Sequence, residues 1–492
     1  MTNLPTTLPP LPSSYDELLA AVSATADLGR PVYDPATGEL ISHAPVHGAD
    51  VLDDAVTTAR TAQKDWARRT DSERRDLLLR AADALEAVAE PLAELLSREQ
   101  GKPLNGPNAR FEVGGCQAWT RTAATTPLPE EVLVDDGETY ATLAYRPIGV
   151  VGAIGPWNWP MLISIWQIAP SLRMGNTVIL KPSENTTLSV LAMCHVINQV
   201  LPDGLLTVVA GDRAVGRLVP THPGIDKIMF TGSTATGRKI AEGAAGTIKR
   251  LTLELGGNDA GIVLGDAFGA DTSDPEVVAA NDKVAEGIFW GAFINTGQTC
   301  AALKRLYVPD SIYDVVCESL VRVAAKMPMG VGLSEENVLG PLQNQNQFDI
   351  VDDLVKKAVE SGATVLLGAD PDYDAAGFFY PTTLISDIDG NNPLVTEEQF
   401  GPALPIIRYS TLDEAITEAN RLNVGLGSSV WSADREAART VAEQIEAGTT
   451  WINSHGTIDP RVPFGGIKSS GYGLEFGTEG LKHVAVPHVI NG

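Results

Sequence analysis

Cysteine is scarce in this chain: Cys116, Cys194, Cys300 and Cys317 are the four among 492 residues. No Cys-x-x-Cys pair occurs, and no histidine accompanies a cysteine at metal-ligand spacing. That counts against a zinc site, any other metal centre and a disulfide scaffold, and fits a reducing, cytoplasmic setting. Basic charge is also short, with 36 Lys and Arg against 62 Asp and Glu, a net charge of −26. Nucleic-acid backbones are gripped by clustered cations, so nucleic acid is a poor partner for this surface. The acidity reads as a solubility device. No apolar run approaches the roughly 18 residues that a membrane span requires. The opening Met-Thr-Asn-Leu-Pro-Thr-Thr-Leu-Pro-Pro has no basic flank and no apolar stretch, so it reads as a loose tail and not a secretory signal.

Hydrophobic residues make up 44% and charged residues 20% of the chain, the balance of a soluble globular protein. Its length exceeds one ordinary core, so two or three domains are expected. Residues 51–100 read as helices, with Leu77-Leu78-Leu79 and Ala81-Ala82 spaced helically among charges. Beyond residue 140 the texture changes to short apolar runs broken by Gly and Pro. Strand-like 177–181, 206–209, 227–230 and 250–253 alternate with helical stretches near 186–200, 213–221 and 235–245. This βα order predicts a parallel sheet with helices on both faces. A second series follows from 260 to 455, with strands at 305–308, 364–367 and 428–431. The two α/β units meet near Gly256-Gly257, a pair that reads as a flexible joint. Residues 482–488, short and alternating, read as an added edge strand suited to pairing with another subunit.

Two residues stand out chemically. Cys300 closes Gly-Ala-Phe-Ile-Asn-Thr-Gly-Gln-Thr-Cys (291–300), and Glu254 sits in Leu253-Glu-Leu-Gly-Gly-Asn258. Together they supply a nucleophile and a general base. Phe230-Thr-Gly-Ser-Thr-Ala-Thr-Gly237 follows an expected strand and opens an expected helix, where backbone N–H groups and the helix dipole would hold a pyrophosphate. Its Gly-x-x-x-x-Gly spacing is neither the dinucleotide fingerprint nor a P-loop, and an ordinary strand-to-helix turn would look the same. Lys181-Pro-Ser-Glu184 ends another strand. Its Lys and Glu could grip a ribose diol or form a solvated charged loop. Spacing alone would send Glu254 to the ribose, but Leu255-Gly256-Gly257 beside it places it at the joint between the two units.

These segments resemble the NAD(P)-dependent aldehyde dehydrogenase superfamily. The matching motifs run in the family's order along nearly the whole chain: Gly155-Pro-Trp-Asn-Trp-Pro160, Lys181-Pro-Ser-Glu184, Phe230-Thr-Gly-Ser233, Glu254-Leu-Gly-Gly257, Gly297-Gln-Thr-Cys300, Glu398-Gln-Phe-Gly-Pro402, Asn453 and Pro463-Phe-Gly-Gly-Ile-Lys468. The resemblance implies an α/β fold with a Rossmann-like cofactor domain (1–124 and 148–256), an α/β catalytic domain (257–456) and a small β oligomerisation element (125–147 and 471–492). It implies a homodimer or homotetramer that oxidises a small aldehyde to the carboxylic acid with NAD. It also implies that Cys300 is the nucleophile, Glu254 the base, and Asn158 with the backbone N–H of Cys300 the oxyanion hole. Lys181 and Glu184 would hold the adenosine ribose, while Trp157, Gly211, Gly232, Ser233, Leu255, Glu398 and Phe400 would line the dinucleotide groove. Trp159, Trp166 and Phe464 are candidates either for the core or for an aldehyde tunnel.

Two positions depart from the family pattern. Asn258-Asp259 stands where many members carry Lys-Ser or Lys-Asp, and Gln167 follows Trp166 where hydrolytic members often have Lys. Glu475 in Gly473-Leu-Glu-Phe-Gly477 looks like a relay carboxylate of the family. A carboxylate at Glu184 would accept from a free 2′-hydroxyl and repel a 2′-phosphate, so NAD is expected over NADP. Arg461 is the single arginine near the tunnel candidates, which favours an uncharged aliphatic or aromatic aldehyde over a semialdehyde carboxylate. A CoA-acylating enzyme would generally lack the base at Glu254, and a scaffold without turnover would need none of Cys300, Glu254 and Asn158.

Overall fold

The computed structural model describes residues 7–492, so part of the Pro/Thr-rich start lies outside the described residues. A six-stranded sheet has its strands in the order Gly471–Tyr472, Arg250–Glu254, Lys227–Thr231, Val150–Ile154, Thr177–Lys181, Leu206–Val208. All neighbours are parallel except the first pair, where Gly471 lies opposite Glu254. The three middle strands are buried at every position, which is why their centres are apolar, with Lys and Thr confined to the strand ends. Helices Thr187–Asn198, Arg213–Thr221 and Thr234–Ala245 connect successive strands. The second of these starts where Asp212 accepts the N–H of Ala214, and the third where Ser233 accepts that of Thr236.

The chain then crosses into a seven-stranded sheet, ordered Thr364–Leu367, Thr383–Ser386, Ala403–Tyr409, Leu303–Pro309, Asp259–Val263, Gly427–Trp431, Thr449–Ile452. It is parallel except at its first pair. Helices Ala49–Arg68, Asp71–Ala87 and Ala89–Gln100 occupy the expected N-terminal stretch.

A third sheet joins Glu131–Asp135, Tyr140–Pro147 and Ala485–Asn491, all antiparallel. The C-terminal strand begins later than expected, because Lys482 and His483 belong to the helix Gly477–His483. The N–H of Val484 returns to the Leu481 carbonyl and closes that turn, so extended backbone starts at Ala485. No described helix is long and apolar enough to cross a membrane.

Candidate active site

In parallel sheets with helical crossovers, ligands collect beyond the carboxyl ends of the strands. Lys181, Thr231 and Glu254 stand at those ends. They line a cleft of about 850 Å³ together with Trp157, Asn158, Cys300, Glu398 and Phe400. Glu184, Gly232, Ser233 and Leu255 line it too, so one cavity gathers every expected catalytic and cofactor-binding residue except Gly211, while Trp159, Trp166, Phe464, Gln167 and Glu475 do not line it. Gly211 lies apart, its α-carbon facing the His47 carbonyl and Val215.

The first end of the cleft suits an anion. The amino terminus of helix Thr234–Ala245 opens into it behind Gly232 and Ser233, presenting free backbone donors and the positive end of the helix dipole. Lys181 is 7% exposed, and burial lowers the pKa of its ammonium. Glu184 opens the short turn Glu184–Thr186 and lies 3.9 Å from the guanidinium of Arg213, a residue that the sequence motifs do not mark. Donors for a pyrophosphate, with a Lys and a Glu for a diol, fit an adenine dinucleotide.

At the other end, Asn295, Thr296 and Gly297 take three left-handed conformations in a row, with φ of 50°, 56° and 75°. Such a run turns the chain sharply just before Cys300. A side chain at Gly297 would strike the Gly401 carbonyl, so glycine is needed for close approach as well as for φ. Lys304, fully buried, donates to the carbonyls of Gly297 (2.6 Å) and Gly401 (3.1 Å) and so ties the Cys300 loop to the loop holding Glu398 and Phe400. Asn158 donates its side-chain N–H to Gln298 O (3.0 Å), and Trp159 Nε1 donates to Thr299 Oγ1 (2.9 Å). The backbone N–H of Cys300 makes no backbone hydrogen bond.

Gly256 and Gly257 are not a flexible joint. A side chain on Gly256 would meet the Glu398 carboxylate, and one on Gly257 would come within 2.5 Å of the Cys300 carbonyl. The Gly257 N–H also donates to Glu398 Oε1 at 3.1 Å. Both positions are glycine because three loops converge on them.

The electrostatics are those of a dry, acidic site. Burial pushes the Cys300 thiol up, and the carboxylates of Glu398, Glu254 and Asp259 add to the shift. Burial also raises Glu254 well above the usual carboxyl range, with Glu475 adding to it. Neither oxygen of Glu254 or of Glu475 has a hydrogen-bond partner among the described residues. Glu475 is pushed up to about 8 by burial, against the opposing effect of Lys227, itself lowered to about 7 by burial. Glu398 is raised by burial to about 7, with Lys304 opposing. Gln167 donates to Thr231 Oγ1 at 3.3 Å and leaves its carbonyl oxygen without a partner.

Comparison with known proteins agrees with this geometry. Residues 22–490 match the family described as the aldehyde dehydrogenase family. The chain is 37% identical over 480 residues to phenylacetaldehyde dehydrogenase of Pseudomonas fluorescens, covering 94% of this chain and 92% of that one. It superposes on the NAD+ complex of aldehyde dehydrogenase from Bacillus cereus with a TM-score of 0.88 at 32% identity, covering 96% and 94% of the two chains. It also superposes on an E. coli NADP-dependent enzyme with a TM-score of 0.89 at 32% identity, covering 96% of each chain. The chain belongs to the aldehyde dehydrogenase family.

This aldehyde dehydrogenase is an NAD(P)-dependent oxidoreductase acting on aldehydes. Its three tunnel candidates are all buried, and Trp166 and Phe464 both pack on Phe476, at 4.7 and 6.0 Å between ring centroids. Trp119 completes this aromatic group, 5.5 Å from Phe476. Trp119 lies in no quoted motif, and the segment Gly473–Gly477 that contains Phe476 drew notice only for Glu475. Arg461 faces outward, paired with Asp459.

Proposed function

We propose that this aldehyde dehydrogenase oxidises an uncharged aromatic or aliphatic aldehyde to its carboxylic acid, with Cys300 as nucleophile and Glu254 as base. The observation that carries this reading is the pairing, in one cleft, of Cys300 with a buried carboxylate whose two oxygens have no partner among the described residues. Burying an unpartnered carboxyl is costly, and a site that must accept a proton from an incoming water is a reason to keep it. The similarity to phenylacetaldehyde dehydrogenase supports the substrate class.

Sγ of Cys300, as the thiolate whose proton has been lost to solvent, attacks the carbonyl carbon and forms a thiohemiacetal. Its oxyanion accepts from the second amide N–H of Asn158 and the backbone N–H of Cys300. When bound, NAD supplies the hydride acceptor. After hydride loss the acyl group remains on Sγ as a thioester. Glu254 takes a proton from water, the hydroxide adds to the thioester carbon, and the C–S bond breaks to release the acid and regenerate the thiolate. A thiol suits this sequence because its thiolate is strongly nucleophilic and the thioester hydrolyses readily.

Lys181 and Glu184 hold the adenosine ribose in this reading, and Gly232 with Ser233 the pyrophosphate. Trp157 and Leu255 line the groove, and Glu398 and Phe400 lie at the nicotinamide end. Glu184 favours NAD over NADP, while Arg213 beside it offers a cation to a 2′-phosphate. The six-stranded sheet serves as cofactor domain and the seven-stranded sheet as catalytic domain. The small third sheet, which exposes Val132, Leu133, Val489 and Ile490, is the contact of a homodimer or homotetramer. The deciding experiment is product analysis with phenylacetaldehyde and NAD, with and without CoA. Phenylacetic acid with NADH, abolished in Cys300→Ala, is expected; acyl-CoA as the main product would overturn the reading.

A further inference from the structure

Lys102 and Glu112 form an ion pair with no exposed side-chain surface, Nζ to Oε2 at 2.6 Å. Neither lines the cofactor cleft. Removing two charges from water is costly, and apolar residues of similar size often fill such a place with equal or better stability. The reason for the pair lies in its other contacts, which converge on one short segment. Lys102 Nζ donates to the Asn158 carbonyl at 2.7 Å and sits 3.6 Å from the ring centre of Trp159. Glu112 Oε1 accepts the N–H groups of Met161 (2.9 Å) and Leu162 (3.1 Å). Those donors belong to the first turn of helix Pro160–Arg173 and have no acceptor within the helix.

Asn158 is therefore held on every side. Its carbonyl accepts from Lys102 and from Asn295 Nδ2 (2.9 Å), and its side-chain amide donates to Gln298 O, which Asn295 Nδ2 also reaches at 3.3 Å. These bonds close a ring between the loop carrying Asn158 and the loop carrying Cys300. One N–H of the amide remains, in one orientation.

We propose that the buried Lys102–Glu112 pair is the positioning device for the Asn158 amide, setting the oxyanion donor against the Cys300 loop. The inference rests on the oxyanion role of Asn158. Misplacing a group in such a site by about 1 Å can cost on the order of 10²-fold in rate. Lys102 touches no reacting atom, so its effect passes through Asn158.

The test is a double-mutant cycle with phenylacetaldehyde and NAD on the full-length enzyme, because residues acting as one unit give non-additive losses. Lys102→Met is expected to lower kcat roughly ten- to hundredfold. NADH binding, read by fluorescence without aldehyde, should stay within about threefold. In an Asn158→Ala background the same change should cost no further rate. Glu112→Gln keeps its shape and its acceptor for Met161 and Leu162, and it carries the same test if Lys102→Met does not fold. Asn158→Ala with unchanged kcat would remove the oxyanion assignment itself. A slow Asn158→Ala beside a Lys102→Met of wild-type kcat would remove the positioning role alone. Full additivity of the two losses would mark the pair as merely structural and overturn the proposal.

Discussion

Asn158 donates its side-chain N–H to the backbone carbonyl of Gln298 across 3.0 Å, two residues before Cys300. The bond ties a loop of the six-stranded sheet to the loop that carries Cys300 and aims the remaining amide N–H. Asn158→Ala should lower kcat by about 10²–10³, the usual loss for one oxyanion donor. Cofactor binding, measured by fluorescence titration, should change little.

Glu254→Gln should separate the two halves of the reaction. Acylation would proceed, and thioester hydrolysis would slow by roughly 10²–10⁴. Rapid mixing should show one burst of NADH per active site. Mass spectrometry of the quenched protein should find the acyl group on Cys300.

The buried carboxyls of Glu254 and Glu475 set a pH dependence. Both carboxyls are raised by burial, Glu475 to about 8. The base form of Glu254 exists above its raised pKa, so hydrolysis should weaken as pH falls through a value well above the ordinary carboxyl range. Folding stability runs the other way. The native state holds these protons more tightly than the unfolded chain, so stability is full at low pH and declines as pH rises toward 8. Glu475→Gln should therefore raise the melting temperature more at pH 8 than at pH 5, as calorimetry at the two pH values would show.

Glu184→Gln should shift cofactor use. The change removes a negative charge beside Lys181 and Arg213, so catalytic efficiency with NADP should rise relative to NAD. An unchanged ratio would mean that Glu184 does not face the 2′ position.

Gly257→Ala would place a methyl group 2.5 Å from the Cys300 carbonyl, against backbone that has no room to move away. Turnover should fall by an order of magnitude or more, roughly the loss for a small displacement of the nucleophile. The melting temperature should fall as well, because overpacking forces a shift.

Much of the fold was legible because its signals are local. Thr177–Lys181 reads as a strand because the centre of a fully buried parallel strand, Val178-Ile-Leu180, is apolar, and Arg213–Thr221 reads as a helix behind its Asp212 cap. The C-terminal strand was displaced because the turn that ends helix Gly477–His483 leaves no mark in the alternation of residues. Gly256-Gly257 reads as a hinge since a sequence cannot distinguish a glycine kept for freedom from one kept for lack of space.

The sequence by itself determined the order of the motifs, and with them the family, and it singled out Cys300, Glu254 and Asn158 as a candidate reactive set. Only the tertiary structure decided the state of those groups. Glu254 lacks a partner and shares its burial with Glu475, which lies in a segment more than two hundred residues away along the chain. Lys102, Glu112 and Lys304 lie in no motif of the site, yet the two lysines are buried against carbonyls of the loops that carry it and Glu112 against backbone N–H groups of helix Pro160–Arg173. Burial, charge pairing and close approach are set by which distant segments pack together, and that is why residue order alone does not contain them.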